Sequence, residues 1–240
     1  MSEESINANT LIELVRKMGH DMRAPLGSII STVDMLAEGI YEPLTPKQVR
    51  ANERVRRNSR RVLAILDDFV TYVKADAGQL QLAPGAFDPR KALSDCIEQV
   101  RQLAEEKGLA LRLTTPEQVP ASLVGDVAQI KRATLNLLWN AVTFTTQGEI
   151  RVESEWSDTH SWTIRVRDSG SGVSEDQVPH IFEPFWRGEE RPQVSTAGVG
   201  LGLAVSLSLT KLMKGQLILE QTGTQGSTFR LSIPLEPAEE

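Results

Sequence analysis

Two apolar seams joined by a short polar link decide how the first third of this chain can fold. Across residues 9–38, Leu11, Val15, Met18, Met22, Leu26 (or Pro25), Ile29, Val33 and Leu36 recur at alternating spacings of three and four. That is the seam of a helix that packs in a bundle or coiled coil. Gly39 is the expected stop. The link 40–44 is short, so the next helix folds back beside the first. Thr45-Pro46-Lys47-Gln48 opens it, with threonine as cap, proline at the first helical position and Gln48 placed for a capping box. Val55, Val62, Leu66, Phe69 and Val73 carry a similar stripe to Asp76. Two helices alone cannot enclose a core, so the expectation is an all-α antiparallel hairpin that becomes a four-helix bundle in a homodimer through residues 9–76.

His20 lies two positions from both Met18 and Met22, about 200° round the helix from either. Its imidazole therefore points away from the seam, with Asp21 beside it. Such a pair is either a solvated surface feature or a nucleophile whose ring the carboxylate orients and deprotonates. Pro25 removes the hydrogen bond to the Asp21 carbonyl, and a bend just past the histidine is expected. On the second helix Arg50, Arg54, Arg56, Arg57, Arg60 and Arg61 form a basic stretch. They read as a solvated face with local ion pairs, or as a docking surface for an acidic partner.

The net charge of −6 argues against nucleic acid as a partner. Cys96 is the single cysteine, which removes an internal disulfide and a multi-cysteine metal site and suits a reducing cytosol. No apolar run approaches the roughly 18 residues of a membrane span, so no membrane contact is expected of this segment. The expected location is cytoplasmic, and the sequence leaves open an anchor or sensor domain outside the segment.

Composition changes after residues 75–78, which suggests a first domain over 1–76, a hinge at 77–78, a second domain over 79–236 and a tail at 237–240. In the second domain the patterning predicts a short strand at 79–82, a helix capped by Asp88-Pro89 that ends near Gly108, and a strand at 109–113. A helix after Gly125-Asp126 runs to Phe144. Strand pairs follow at 149–156 with 161–167 and at 216–220 with 227–233, separated by a helix over 203–214. Helices on one side of a mixed, largely antiparallel sheet make this an α+β sandwich.

Four motifs carry the chemistry. Asn136 and Asn140 stand four apart and share a helix face, and neutral amide oxygens can ligate Mg²⁺ when phosphates supply the charge. Asp168-Ser169-Gly170-Ser171-Gly172 ends a strand, where a carboxylate can accept from an exocyclic amine. Gly198-Val199-Gly200-Leu201-Gly202-Leu203 runs into a helix whose free N–H groups suit phosphates. Gly226-Ser227-Thr228-Phe229 enters the last strand with two hydroxyls that are candidates for phosphate contact. Each is weak alone, and their order and spacing make them strong together.

In that order they resemble the boxes of the bacterial sensor histidine kinases of two-component signalling, over nearly the whole chain. The stretch 20–26 resembles the H box, 136–145 the N box, 168–172 the G1 box, 181–185 the F box and 198–202 the G2 box. The resemblance implies a dimerisation and histidine-phosphotransfer domain, then an ATP-binding domain of the Bergerat (GHKL) type shared with Hsp90, gyrase and MutL. It implies a protein-histidine kinase that uses ATP and Mg²⁺, phosphorylates itself on His20 with Asp21 as base, and passes the phosphate to an aspartate on a response regulator receiver domain.

Position by position, the resemblance makes Asn140 the Mg²⁺ ligand and Asn136 its polar companion. Asp168 becomes the adenine-amine acceptor and Phe144 the aromatic against the base. Gly170 and Gly172 shape the base pocket, Gly198, Gly200 and Gly202 flank the triphosphate, and Thr228 sits in a turn on the phosphate side. Residues 183–197 become a mobile lid with Phe182 and Phe185 packing its base. Arg187 either reaches a phosphate or stays solvated. Two positions depart from the pattern. Thr143 stands where a basic residue usually helps hold phosphate. Ala24 stands where Thr or Asn in many members positions the water that dephosphorylates the partner, so phosphatase activity is expected to be weak. The alternatives are a dimeric pseudokinase, which only Thr143 favours, and a chaperone- or gyrase-like ATPase, which leaves His20 unexplained.

Overall fold

The computed structural model describes residues 8–188 and 199–238 and divides into two compact units, 1–77 and 78–240. The first is a helical hairpin of α1 (Ala8–Ala37) and α2 (Pro46–Asp76). Gly39 takes φ +73° just past α1, a conformation that costs glycine little. Thr45 caps α2: its hydroxyl accepts from Gln48 N–H, and Gln48 Oε1 accepts from Thr45 N–H at 2.9 Å. The helix α1 runs unbroken through Pro25, so the ring costs one hydrogen bond without ending the helix.

The predicted seam splits into two faces. Val15, Gly19 and Val33 of α1 are buried with Asn52, Ser59, Val70 and Ala75 of α2. Asn52 donates through Nδ2 to the Val33 carbonyl at 2.7 Å, which fixes the helix register with a satisfied buried polar group. Met18, Met22, Ile29, Val55 and Val62 remain exposed on the protomer. A spacing of three and four marks an apolar stripe, but it cannot say which members a neighbouring helix of the same chain covers. The basic stretch of α2 is partly paired: Arg56 and Arg60 both reach Asp34, and Arg56 also holds Glu53.

The second unit contains β1 (Gly85–Phe87), α3 (Pro89–Glu106), β2 (Ala110–Thr114), β3 (Leu123–Gly125), α4 (Val127–Phe144), β4 (Glu149–Ser157), β5 (Ser161–Asp168), α5 (Gly202–Leu212), β6 (Gln216–Gly223), β7 (Gly226–Pro234) and β8 (Glu236–Pro237). Five strands form one sheet in the order β2-β4-β5-β7-β6, with β2 parallel to β4 and the other pairs antiparallel. Inward residues alternate along it: Trp162, Ile164 and Val166 on β5, with Phe229, Leu231 and Ile233 on β7. They pack against Leu137, Leu138, Val205 and Leu209 of the helical layer, a two-layer α+β sandwich with a mixed sheet. Buried Trp162 keeps its indole N–H satisfied by Ser154 Oγ at 2.8 Å.

Two boundaries differ from expectation. The strand expected at 79–82 is irregular, and the pairing falls instead on Gly85–Phe87. Asp126 ties this stretch to α4: its Oδ1 caps the helix at Gln129 N–H, and its Oδ2 accepts the Ala83 N–H at 2.9 Å. The tail expected at 237–240 begins as strand, because Pro237 pairs with Leu123 in β8 and Ala238 N–H reaches the Ser122 carbonyl. Both β3 and β8 are too short to show a period in sequence.

Candidate active site

His20 projects from α1 with 84% of its side chain exposed, and its Nδ1 lies 3.3 Å from Asp21 Oδ1. With the proton on Nδ1, Asp21 holds the ring and Nε2 presents its lone pair outward. Two residues on, Arg23 pairs with Asp67 of α2 through Nε and Nη2, both at 2.8 Å, fixing the helix beside the histidine.

In the second unit, Asp168 is buried at the end of β5, where its Oδ1 accepts Gly170 N–H at 2.8 Å and Ser227 N–H at 3.4 Å. Its other oxygen takes no hydrogen bond among the described residues. Burial raises its pKa above the ordinary carboxylate range, opposed by those two N–H donors. The surrounding backbone is packed too closely for side chains. A Cβ on Gly170 would meet the Phe144 carbonyl at 2.7 Å, and one on Gly226 the Asp168 carbonyl at 1.9 Å. Gly172 takes φ +70° with the Gly223 carbonyl 2.1 Å from where its Cβ would be. Asp168, Gly170, Gly172, Phe144 and the turn into β7 thus form one place, and Phe144 leaves 42% of its surface open.

The turn 226–229 was expected on the phosphate side. It lies instead against Asp168. Register also separates its two hydroxyls: Thr228 pairs opposite Arg167, on the face away from the helices, whereas Ser227 shares the inward face with Phe229 and Leu231. Ser227 Oγ stands 3.1 Å from Thr222 Oγ1, which also accepts Val173 N–H at 2.7 Å. Ser227 is therefore the residue of this turn whose N–H reaches Asp168, and its hydroxyl stands beside that of Thr222. Counting back by twos from Ile233 and Leu231 would have found Ser227 from sequence.

Asn136 and Asn140 follow one another, one turn apart, on a half-buried face of α4. Asn136 Nδ2 donates to the Gly202 carbonyl at 3.0 Å, tying α4 to the start of α5. The side-chain amide of Asn140 has no hydrogen bond among the described residues. No group of three or more His, Cys, Asp or Glu among the described residues could hold a metal ion. A cation at Asn140 thus needs anionic oxygens from its own ligand, which suits Mg²⁺ arriving with a nucleotide. The first turn of α5 has no side-chain cap, leaving N–H groups for an anion.

Gly200 takes φ +82°, its Cβ position 2.4 Å from the Trp186 carbonyl, and its own carbonyl accepts Phe185 N–H at 2.9 Å. Phe185 and Trp186 therefore meet Gly200. Phe182 packs its ring edge on Phe229, and Phe185 is 53% exposed at φ +63°. Arg187 is exposed. Gly198 and residues 189–197 of the expected lid lie outside the described residues.

Residues 10–78 match the family described as "His Kinase A (phospho-acceptor) domain", and residues 125–237 the one described as "Histidine kinase-, DNA gyrase B-, and HSP90-like ATPase". The chain belongs to the sensor histidine kinases. It is 28% identical to the autoinducer 2 sensor kinase/phosphatase LuxQ of Vibrio vulnificus, over 99% of this chain and 28% of that protein. It is 32% identical to the sensor histidine kinase RcsC of Salmonella typhimurium, over 92% of this chain and 23% of that protein. The chain spans about a quarter of the length of the curated relatives it matches. Full-length ShkA, solved in complex with AMPPNP, superposes with a TM-score of 0.79 at 25% identity, covering 95% of this chain and 47% of that one. As a histidine kinase core, the chain has its phosphoacceptor-type helix in the first unit and its GHKL-type fold in the second. Among the described residues no helix is long and apolar enough to cross a membrane.

Proposed function

We propose that this histidine kinase core phosphorylates itself on His20 from ATP and passes the phosphate to an aspartate of a response regulator receiver domain. The observation that carries this is an exposed His20 whose Nδ1 faces Asp21, in a chain whose second unit offers a buried carboxylate with one uncommitted oxygen. On this reading, Nε2 of neutral His20 attacks the γ-phosphorus of ATP. The bond from that phosphorus to the bridging oxygen breaks, ADP leaves with the electron pair, and Asp21 takes the Nδ1 proton. The receiver's carboxylate oxygen then attacks the same phosphorus and the P–N bond returns its pair to the imidazole. Catalysis is mostly positioning and charge stabilisation.

Asp168 Oδ2 accepts the adenine amine, Phe144 lies against the base, and Gly170 and Gly172 shape its pocket. The open turn of α5 with Gly198, Gly200 and Gly202 faces the phosphates, and Arg187 reaches toward them. Asn140 would hold Mg²⁺, which would supply positive charge against the phosphates, and Asn136 holds the start of α5. Exposed Met18, Met22, Ile29, Val55 and Val62 are the surface that a second copy covers, completing a four-helix bundle. We place the segment in the cytosol. Incubation with γ-labelled ATP and Mg²⁺ tests the reading: acid-labile, base-stable label that disappears in His20→Ala supports it, and an unlabelled intact protein overturns it.

A further inference from the structure

Lys107 lies between the two matched segments and belongs to none of the motifs. It is the C-cap of α3, which closes with two bonds beyond it: Gly108 N–H to the Glu105 carbonyl at 2.9 Å and Leu109 N–H to the Ala104 carbonyl at 2.8 Å, with Gly108 at φ +68°. This is a Schellman closure, and it fixes where the Lys107 side chain starts. The ammonium crosses to the far end of α4, donating to the carbonyls of Val142 at 2.6 Å, Thr143 at 3.1 Å and Thr145 at 3.4 Å. A helix leaves its last carbonyls without partners, and they carry the negative end of its dipole. One lysine with three donors answers both.

The turn that Lys107 holds is the wall of the Asp168 site. It contains Phe144, whose carbonyl lies against Gly170. The same loop is held on both sides: Ala110 N–H reaches the Gly148 carbonyl at 3.0 Å, while Ser169 Oγ donates to the Gln147 carbonyl and accepts Glu149 N–H. The start of α5 is tied to α4 elsewhere, through Asn136 and Gly202. We propose that Lys107 is a positioning residue for the nucleotide base, holding the last turn of α4 in the shape that seats Gly170, whose N–H in turn orients the Asp168 carboxylate for the base amine. This rests on the ATP-binding reading above. Its consequence is specific: losing the ammonium disturbs the base end of the site and leaves the phosphate end in place.

The test is autophosphorylation of the whole chain with ATP and with inosine triphosphate, which has a carbonyl where adenine has its amine. Lys107→Met keeps the stem and removes the donors. The expected result is a rise of about tenfold in KM for ATP, with KM for inosine triphosphate and kcat at saturation each within about twofold of wild type. Lys107→Arg, which keeps donors for the carbonyls, restores most of the ATP preference. An unchanged KM for ATP, an equal rise for both nucleotides, or a fall in kcat alone overturns the proposal. Should Lys107→Met not fold, Lys107→Leu, which also lacks the donors, takes its place in the same comparison. A wild-type chain that neither binds ATP nor is labelled by it overturns the ATP reading itself. ATP binding that is intact and indifferent to Lys107 overturns only the role of the lysine.

Discussion

Gly19, immediately before the proposed phosphoacceptor, stands directly against Val70 of the neighbouring helix: a Cβ on Gly19 would lie 2.6 Å from Val70 Cγ2. Val70 is buried and branched at Cβ, so it cannot swing aside. Gly19→Ala gains helix propensity of about 1 kcal/mol, but overpacking costs about 1–3 kcal/mol, so net destabilisation is expected. In the Gly19→Ala background, Val70→Ala should cost less than it does alone. Urea unfolding of the four proteins at one fixed concentration gives the coupling, and additive effects would refute the contact.

Asp21 faces Nδ1 of His20 while Nε2 is left outward. Asp21→Asn keeps the side chain's size and removes its capacity to take a proton. Autophosphorylation should fall by roughly 10²–10⁴-fold with ATP affinity unchanged. Labelling time courses beside an equilibrium nucleotide titration separate the two quantities, and a matching loss of affinity would contradict the role.

The raised pKa of Asp168 has a sign that can be followed. Its folded-state pKa exceeds its unfolded one, so across that window the folded protein binds the extra proton. Stability is lost as pH rises through the window, and the loss persists at neutral pH. In Asp168→Asn the amide oxygen still accepts Gly170 and Ser227 N–H, and no charge is buried. This variant should melt at or above wild type near neutrality, with the gap closing below about pH 4. Its amide N–H₂ would face the adenine amine donor to donor, so ATP binding should weaken at least about tenfold. Paired melting curves across pH with a nucleotide titration check both halves.

Asn140→Ala removes the amide proposed to hold Mg²⁺ beside the phosphates. Half-maximal labelling should then need on the order of tenfold more Mg²⁺, while metal-free nucleotide binding stays near wild type. A Mg²⁺ titration of the labelling rate decides it, and an unmoved midpoint would remove Asn140 from the metal site.

Ala24 is exposed one helical turn after His20 and has no group to orient water. The chain should remove phosphate from a phosphorylated receiver slowly, and Ala24→Thr should raise that rate while leaving His20 labelling intact. Release of phosphate from the labelled receiver, with and without Mg²⁺, measures it. Brisk release by the wild-type chain would contradict the expectation.

Local chemistry in the sequence determined the helices, most strands and the identity of the boxes. Thr45 with Gln48, Asp88 with Pro89, and Asp126 before α4 each make their caps from neighbours a few residues away, so their positions were legible. Alternation over eight or nine residues likewise exposed β4, β5 and β7. Tertiary structure alone decided what depends on partners distant in the chain. The first strand formed at Gly85–Phe87, where it pairs with β3, rather than at 79–82, and register turned Thr228 away from Asp168 while placing Ser227 beside it. The hairpin chose which part of the seam to bury, leaving Met18 and Met22 open. Lys107 shows the same limit most directly: its three carbonyl partners lie 35 to 38 residues away. A sequence window reads periodicity and caps because those interactions close within one or two turns. Contacts between elements exist only once the chain has folded back on itself.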